Sequence, residues 1–413
     1  MRNSLESIFT RGISIVSKFL LVGLLAKLLN LEDYGSFQLI SYFIMISTTI
    51  FGLEYYNISN RDIVKTKEKS EIYTKHLQFF YSLSPILFII QVLVFLGLFP
   101  KELITIRTII FIVIIGICDY FAQEVYRYLM INKQYRKGNI QLIYKSVFFI
   151  IIIAIYLTFF KKLDFDRLLI LLLISYLLLF IFAYNSFSIY LHHFSISEFK
   201  FLSFKKLKNI LSVLSPFLLL ILFIKGIEFT DKFLIGKILG LEEAGIYSFL
   251  FSMASVMGVF VMSGFYIIYL PQLLNNFKNN MLEFKSDFRK FSILTIGSSI
   301  VLAFLIVVGS PIVFDLVGKP ILLDNLELLY LLLGGFVLYN AALIPHLFLY
   351  VCLDEKIISL IMGIALLINL SLNFFLIPKF GVNGAGYSFL ITYAIIFSFK
   401  STRAIVIWRK LVV

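Results

Sequence analysis

Long apolar stretches, separated by short polar breaks, run through the whole sequence. A hydrocarbon core about 30 Å thick requires roughly 20 apolar residues per helix. On that scale the pattern predicts spans near 12–29, 36–57, 77–99, 103–126, 140–160 and 168–190. A second set is predicted near 213–239, 245–270, 292–314, 326–352, 357–377 and 387–407. The connections are too short to house an extramembrane domain. The expected fold is therefore all-α and integral to a membrane, with about twelve transmembrane helices. Two six-helix bundles, 1–190 and 210–413, are expected on either side of a linker at 191–209.

Composition supports this reading. Of 413 residues, 60% are hydrophobic and 15% charged, and the mean hydropathy is +0.95. Soluble domains typically hold about 45–50% apolar and about 25% charged residues. The only two cysteines, Cys118 and Cys352, lie far apart inside apolar segments, so neither a disulfide framework nor a thiolate metal site is expected. The first apolar stretch is interrupted by Lys18 and lacks a small-residue cleavage site, so it does not read as a signal peptide.

The net charge of +13 acquires meaning from its distribution. The termini and even-numbered loops carry 23 Lys and Arg residues, and the odd-numbered loops carry 6. By the positive-inside rule both termini are expected in the cytoplasm. A basic skirt facing anionic lipid headgroups follows, each exposed cation contributing about 1 kcal/mol, and no nucleic-acid partner is expected. In the midpoint segment LHHFSISEFKFLSFKKLKN (191–209), phenylalanines and lysines interleave. Such a pattern suits a segment lying in the membrane interface; a plain solvated connector is the alternative.

The two halves share an internal repeat. AKLLNLEDYGSF (26–37) aligns without gaps on GKILGLEEAGIY (236–247) at an offset of 210, and Pro100 and Pro311 lie at nearly the same offset. Six spans separate the copies, so both cross the membrane in the same sense, a parallel repeat of the kind transporters use. The offset sets Glu228 opposite Lys18 and keeps the charged stretch IKGIEFTDKF (224–233) inside the bilayer.

Charges at membrane depth are expensive, about 2.5 to 3.5 kcal/mol each on insertion scales, and default to a functional reading. Lys225, Glu228 and Lys232 follow i, i+3, i+7 spacing and share one helix face, with Asp231 flanking it. A structural ion-pair cluster is the competing explanation. Arg11 and Lys18 lie one heptad apart on the first span; Asp119, Gln123 and Arg127 form a stripe on the fourth, with Glu124 beside it. Glu54 is expected near the end of the second span, and Lys145, His346 and Lys400 stand in the fifth, tenth and twelfth. Lys145 and Arg127 have the duller option of snorkelling to the interface. Asn369 and Asn373, four residues apart, read as interhelical hydrogen-bonding groups.

Motifs of soluble enzymes are missing: no P-loop, HExxH, paired CxxC or GxSxG is present. Asp164-Phe165-Asp166 looks like a glycosyltransferase metal motif, but its loop is too short for a nucleotide-sugar domain. The chain is not expected to be an enzyme, and neither a cofactor nor a bound metal is expected.

Three stretches carry a family resemblance: AKLLNLEDYGSFQLISY (26–42), DKFLIGKILGLEEAGIYSFLFSMA (231–254) and NLSLNFFLIPKFGVNGAGYSFLITY (369–393). The sequence resembles the polysaccharide-repeat-unit (O-antigen type) flippases of the multidrug/oligosaccharidyl-lipid/polysaccharide exporter superfamily. That resemblance implies a MATE-like pair of six-helix bundles facing a central cavity that opens alternately to either side. It implies a cargo of undecaprenyl-diphosphate-linked oligosaccharide, carried across a bacterial inner membrane for O-antigen, capsule or exopolysaccharide synthesis. Glycosyltransferases and a glycan polymerase are the implied partners. By the same resemblance Lys18 and Lys225, supported by Arg11 and Lys232, become headgroup-attracting cations. Glu54, Asp119, Glu228 and Asp231 become candidates for coupling to H⁺ or Na⁺. A drug/cation antiporter of the same superfamily and a membrane glycan polymerase or ligase are the alternatives.

Overall fold

A computed structural model describes residues 2–65, 69–191 and 201–412, and all regular structure among them is helical. In chain order the helices are α1 (Arg2–Leu28), α2 (Leu31–Gly52), α3 (Tyr56–Lys65), α4 (Lys69–Leu98), α5 (Ile106–Ile131), α6 (Tyr135–Phe159) and α7 (Phe165–Leu191). They continue with α8 (Phe204–Ile238), α9 (Leu241–Val261), α10 (Ile267–Asn279), α11 (Met281–Val317), α12 (Leu326–Val351), α13 (Glu355–Phe380) and α14 (Val382–Val412). A π-helical turn, Met262–Tyr266, joins α9 to α10, so the two form one continuous run.

Among the described residues, eleven helical runs are long and apolar enough to cross a bilayer, and they match the second to twelfth expected spans. The first expected span falls in α1, which is helical but outside that set; Arg11, Lys18 and Lys27 load it with charge. Several boundaries differ from the sequence reading; α11, for one, starts at Met281 where the apolar pattern placed a start near 292. The segment read as a loop at 58–76 contains α3, which buries Ile63 and leaves Arg61 and Asp62 exposed. Helix α4 starts at Lys69, before the apolar run begins. Helix α8 starts at Phe204, so the basic end of the linker is helical; 192–200 lies outside the described residues.

The repeat at an offset of 210 is a structural one. Leu29 N donates to Leu25 O at 3.0 Å, and Leu239 N to Ile235 O at 2.8 Å; each helix stops and a new one starts after a break of two residues. Asn30 restarts α2 by accepting the amide of Asp33 at 2.6 Å, a side-chain N-cap. Gly240 restarts α9 through a positive φ of 104°, a conformation glycine adopts without steric penalty. Acidic residues follow in both first turns, Glu32 and Asp33 in one and Glu242 and Glu243 in the other, where the helix dipole favours them. The proline pair is less alike: Pro100 follows the end of α4, whereas Pro311 lies inside α11.

The chain divides into two compact units, Met1–Ile221 and Leu222–Val413. In the first, α1 packs on α6, α5 on α2 and α7, and α6 on α7. In the second, α12 runs along α14 and α9, and α13 packs on α14. Small residues make the α12–α14 contact close: a Cβ on Gly335 would lie 2.3 Å from the Phe389 ring. This is how membrane helices associate, because lipid offers them no hydrophobic drive to pack. Helix α11 shows the matching inversion. Ile300, Phe304, Val308 and Ile312 form an exposed stripe at i, i+4 spacing, while Ser299 is buried and accepts from Asn340 Nδ2 at 2.9 Å.

Candidate functional site: charged groups inside the helices

The charged stretch of α8 separates into two pairs of different character. Lys225 Nζ donates to Glu228 Oε2 at 2.9 Å, and both side chains remain partly exposed, 21% and 37%. One turn on, Asp231 and Lys232 are buried, Lys232 completely. The Lys232 ammonium donates to Asp231 Oδ1 at 3.1 Å and to the Glu228 carbonyl at 2.5 Å. The Tyr247 hydroxyl of α9 donates to Asp231 Oδ2, and the Phe251 ring covers the ammonium at 3.5 Å. Lys232 therefore points into the protein, whereas Lys225 and Glu228 stay partly exposed. Tyr247 and Phe251 draw it into the interior of the unit. Desolvated ammonium–ring contacts contribute about 2 kcal/mol.

In the first unit, Lys18 is exposed, and its charge acts with those of Lys145 on α6 and Asp119 on α5. Asp119 is 2% exposed; it pairs with Lys145 and accepts from Gln123 Nε2 at 3.3 Å. Lys145 thus reaches across helices to a carboxylate instead of snorkelling to the interface. Arg127 does not join the Asp119 stripe: it pairs with Glu124 and lies over the Tyr56 ring at 3.8 Å. Burial and the Glu54 carboxylate push the Tyr56 phenol up to about 12, so this ring is neutral at physiological pH. The Arg11 side chain lies outside the described residues.

Glu54 is not within the second span. Helix α2 ends at Gly52, and Leu53 and Glu54 follow with positive φ values of 42° and 60°. Such left-handed residues cost about 1–2 kcal/mol each away from glycine. Glu54 Oε2 accepts from Asn57 Nδ2 at 3.1 Å, tying down the turn into α3.

The conspicuous third motif builds structure. Asn369 Nδ2 donates to Thr392 Oγ1 at 3.0 Å, joining α13 to α14 as expected of this amide, while Asn373 Nδ2 donates to Asn369 Oδ1 at 3.0 Å within α13. Asp164 caps α7 by accepting the Arg167 amide at 2.9 Å, and Asp166 pairs with Arg107 at 3.3 Å, so the Asp-Phe-Asp element is a helix start.

One group, His76, was overlooked in the sequence. His76, assigned to a loop, stands inside α4 at 4% exposure and contacts the hydroxyls of Tyr120 and Tyr128. Lys400, 6% exposed, has its ammonium 3.4 Å from His346 Nδ1. The available signal for His76 was a lone imidazole at the edge of an apolar run.

No family model and no curated relative matches the chain. Solved structures do. A multidrug resistance MATE family transporter of the MOP superfamily, in an inward-facing conformation, superposes with a TM-score of 0.74 at 12% identity, over 98% of this chain and 99% of that one. Lipid II flippase MurJ, in an inward closed conformation, gives 0.70 at 16% identity, over 96% and 86%. A MATE family transporter in an outward-facing conformation gives 0.57 at 13% identity, over 98% and 95%. The chain shares the all-α, multi-pass membrane fold of these MATE and MurJ proteins.

Proposed function

We propose that this protein is a flippase that moves a polyprenyl-diphosphate-linked oligosaccharide repeat unit across the bacterial inner membrane by alternating access, with both termini cytoplasmic. The observation that carries the proposal is that an accessible cation stands inside a long helix in each unit. Lys18 is exposed on α1, and Lys225 is only partly covered on α8. A lipid-facing ammonium there is unfavourable by about 2.5 to 3.5 kcal/mol, so both belong to a hydrated surface. A diphosphate cannot cross hydrocarbon, while its polyprenyl tail is at home in it. Accessible ammonium groups answer the first difficulty and the surrounding lipid the second.

In this reading Lys18 and Lys225 attract the diphosphate, and Arg11 is assigned a supporting role by its sequence position alone. Glu228 and Asp119, each bonded to a lysine, are the groups through which ion binding redistributes charge. The Asp231–Lys232 pair holds α8 to α9. Glycosyltransferases supply the substrate and a polymerase consumes the product.

The test is translocation of a fluorescent undecaprenyl-diphosphate oligosaccharide in proteoliposomes carrying an ion gradient. Gradient-dependent transfer that falls in Lys18→Ala and Lys225→Ala is expected. Absence of lipid transfer, with robust flux of a cationic aromatic compound, would establish the drug-antiporter alternative.

A further inference from the structure

The first unit contains a buried polar cluster to which no transport role has been assigned. His76 of α4 is held between two hydroxyls of α5: Tyr120 lies 2.9 Å from Nε2, and Tyr128 contacts Nδ1. Glu124, between those tyrosines in sequence, is 6% exposed. Its Oε1 accepts from Arg127. Its Oε2 is buried and has no hydrogen-bond partner among the described residues, although His76 Nε2 is only 3.8 Å away. A cavity of about 220 Å³ borders the cluster, lined by His76, Phe80, Tyr120, Glu124, Tyr128 and Phe187. The surface it exposes is apolar.

An orphaned carboxylate oxygen is costly in an interior where each buried polar atom is ordinarily satisfied. Here one added proton removes the deficit. Placed on Oε2, it makes Glu124 a neutral acid able to donate to the imidazole after a movement of under about 1 Å, down to the usual hydrogen-bond distance. Placed on the imidazole, it makes an ion pair with the same oxygen. We propose that Glu124 and His76 form a shared binding site for a single proton.

The groups able to bias this site are few. Arg127 acts on both members and Glu54 acts on Glu124. Tyr120 and Tyr128 of α5 contact the imidazole directly, and Ser59 of α3 bonds the Tyr128 hydroxyl. The Tyr55 ring lies 4.7 Å from the imidazole. From α4, Tyr73 faces Tyr128; from α2 and α7, the Phe51 and Phe187 rings close the remaining sides. With His76 neutral, Arg127 and Glu124 balance, and loading adds one positive charge.

Loading also has a structural outlet. Neutralising Glu124 weakens its hold on Arg127, and Arg127 is the cation stacked on Tyr56 at the start of α3. The site thereby links proton occupancy to the turn between α2 and α3. A coupling role rests on the transporter reading above and names H⁺ as the ion; proton binding itself does not depend on it.

The full-length protein in lipid nanodiscs, without substrate, is titrated from about pH 4 to about pH 9 while the carbonyl stretch of protonated carboxylic acids is followed by infrared difference spectroscopy. A buried-acid band that grows on acidification, is lost in Glu124→Gln and shifts its midpoint by about one pH unit in His76→Gln is expected. Superimposable titrations of wild type and Glu124→Gln overturn the site. Should Glu124→Gln fail to fold, an unmoved midpoint in His76→Gln overturns it instead. Loss of lipid transfer with an intact titration counts against the flippase reading and leaves the site standing.

Discussion

The ammonium of Lys232 lies 3.5 Å from the ring centroid of Phe251, a residue that enters from α9 and completes a pocket in which the lysine has no exposed surface. Only three residues separate Lys232 from Glu228, whose side chain is 37% exposed. The boundary between accessible and sealed charge on α8 therefore falls within one helical turn.

Breaking the sealed pair should be severe. Lys232→Ala leaves Asp231 buried with, among the described residues, only Tyr247 and the backbone amide of position 232 bonded to it, and a loss of about 3–5 kcal/mol is expected. Combining it with Asp231→Asn should recover part of that loss, because the uncompensated charge goes too. Thermal unfolding of the four proteins in detergent gives the coupling energy; simple additivity would show that the two residues do not act as a pair.

The accessible pair should behave in the opposite way. Lys225→Ala removes a partly exposed ion pair worth about 0–1 kcal/mol, so thermal stability should hardly change. Lipid transfer should drop about tenfold or more if the ammonium contacts a diphosphate oxygen, since charged hydrogen bonds contribute about 1.5–3 kcal/mol. A transfer rate equal to wild type would remove Lys225 from the binding surface.

The α13–α14 turn should tolerate no added methyl group. A Cβ at Gly384 would lie 2.1 Å from the Leu376 carbonyl oxygen, and Gly381 before it has φ 60° and ψ −142°. Gly384→Ala should destabilise by more than the about 1–3 kcal/mol usual for overpacking, since backbone must move. Gly297→Ala, where nothing lies within 4 Å, should be neutral or stabilising by up to about 1 kcal/mol. Equal melting temperatures for the two variants would contradict this geometry.

Relief of strain is also predictable. Leu353 has φ 59° and is 75% exposed, so its side chain contributes little packing. Leu353→Gly removes a left-handed penalty of about 1–2 kcal/mol, partly offset by the greater freedom of glycine in the unfolded chain. A rise in melting temperature is expected, and a fall would show that Leu353 packs against something that matters.

Much of the architecture was legible because its causes are local. A bilayer sets helix length, so hydropathy alone located the spans to within a turn or two at most boundaries. The repeat was visible because Leu29, Leu31, Glu32 and Gly35 recur at Leu239, Leu241, Glu242 and Gly245, and both copies end one helix and begin another. Where polar residues extend a helix beyond the hydrocarbon, as at Lys69 and Phe204, the hydropathy signal ended before the helix did.

The sequence by itself determined what one helix can settle: an all-helical membrane chain with a doubled plan, its basic loops, and the pairing of Lys225 with Glu228 through i, i+3 spacing. Only the tertiary structure decided which charges are sealed and which stay accessible. Asp119 meets Lys145 across α5 and α6, Lys232 is covered by Phe251 from α9, and His76 meets Tyr120 and Tyr128 from another helix. In water, periodic polarity marks the inward face of a helix. In lipid, both faces are apolar, so the partner of each buried charge is chosen by the packing of helices distant in sequence.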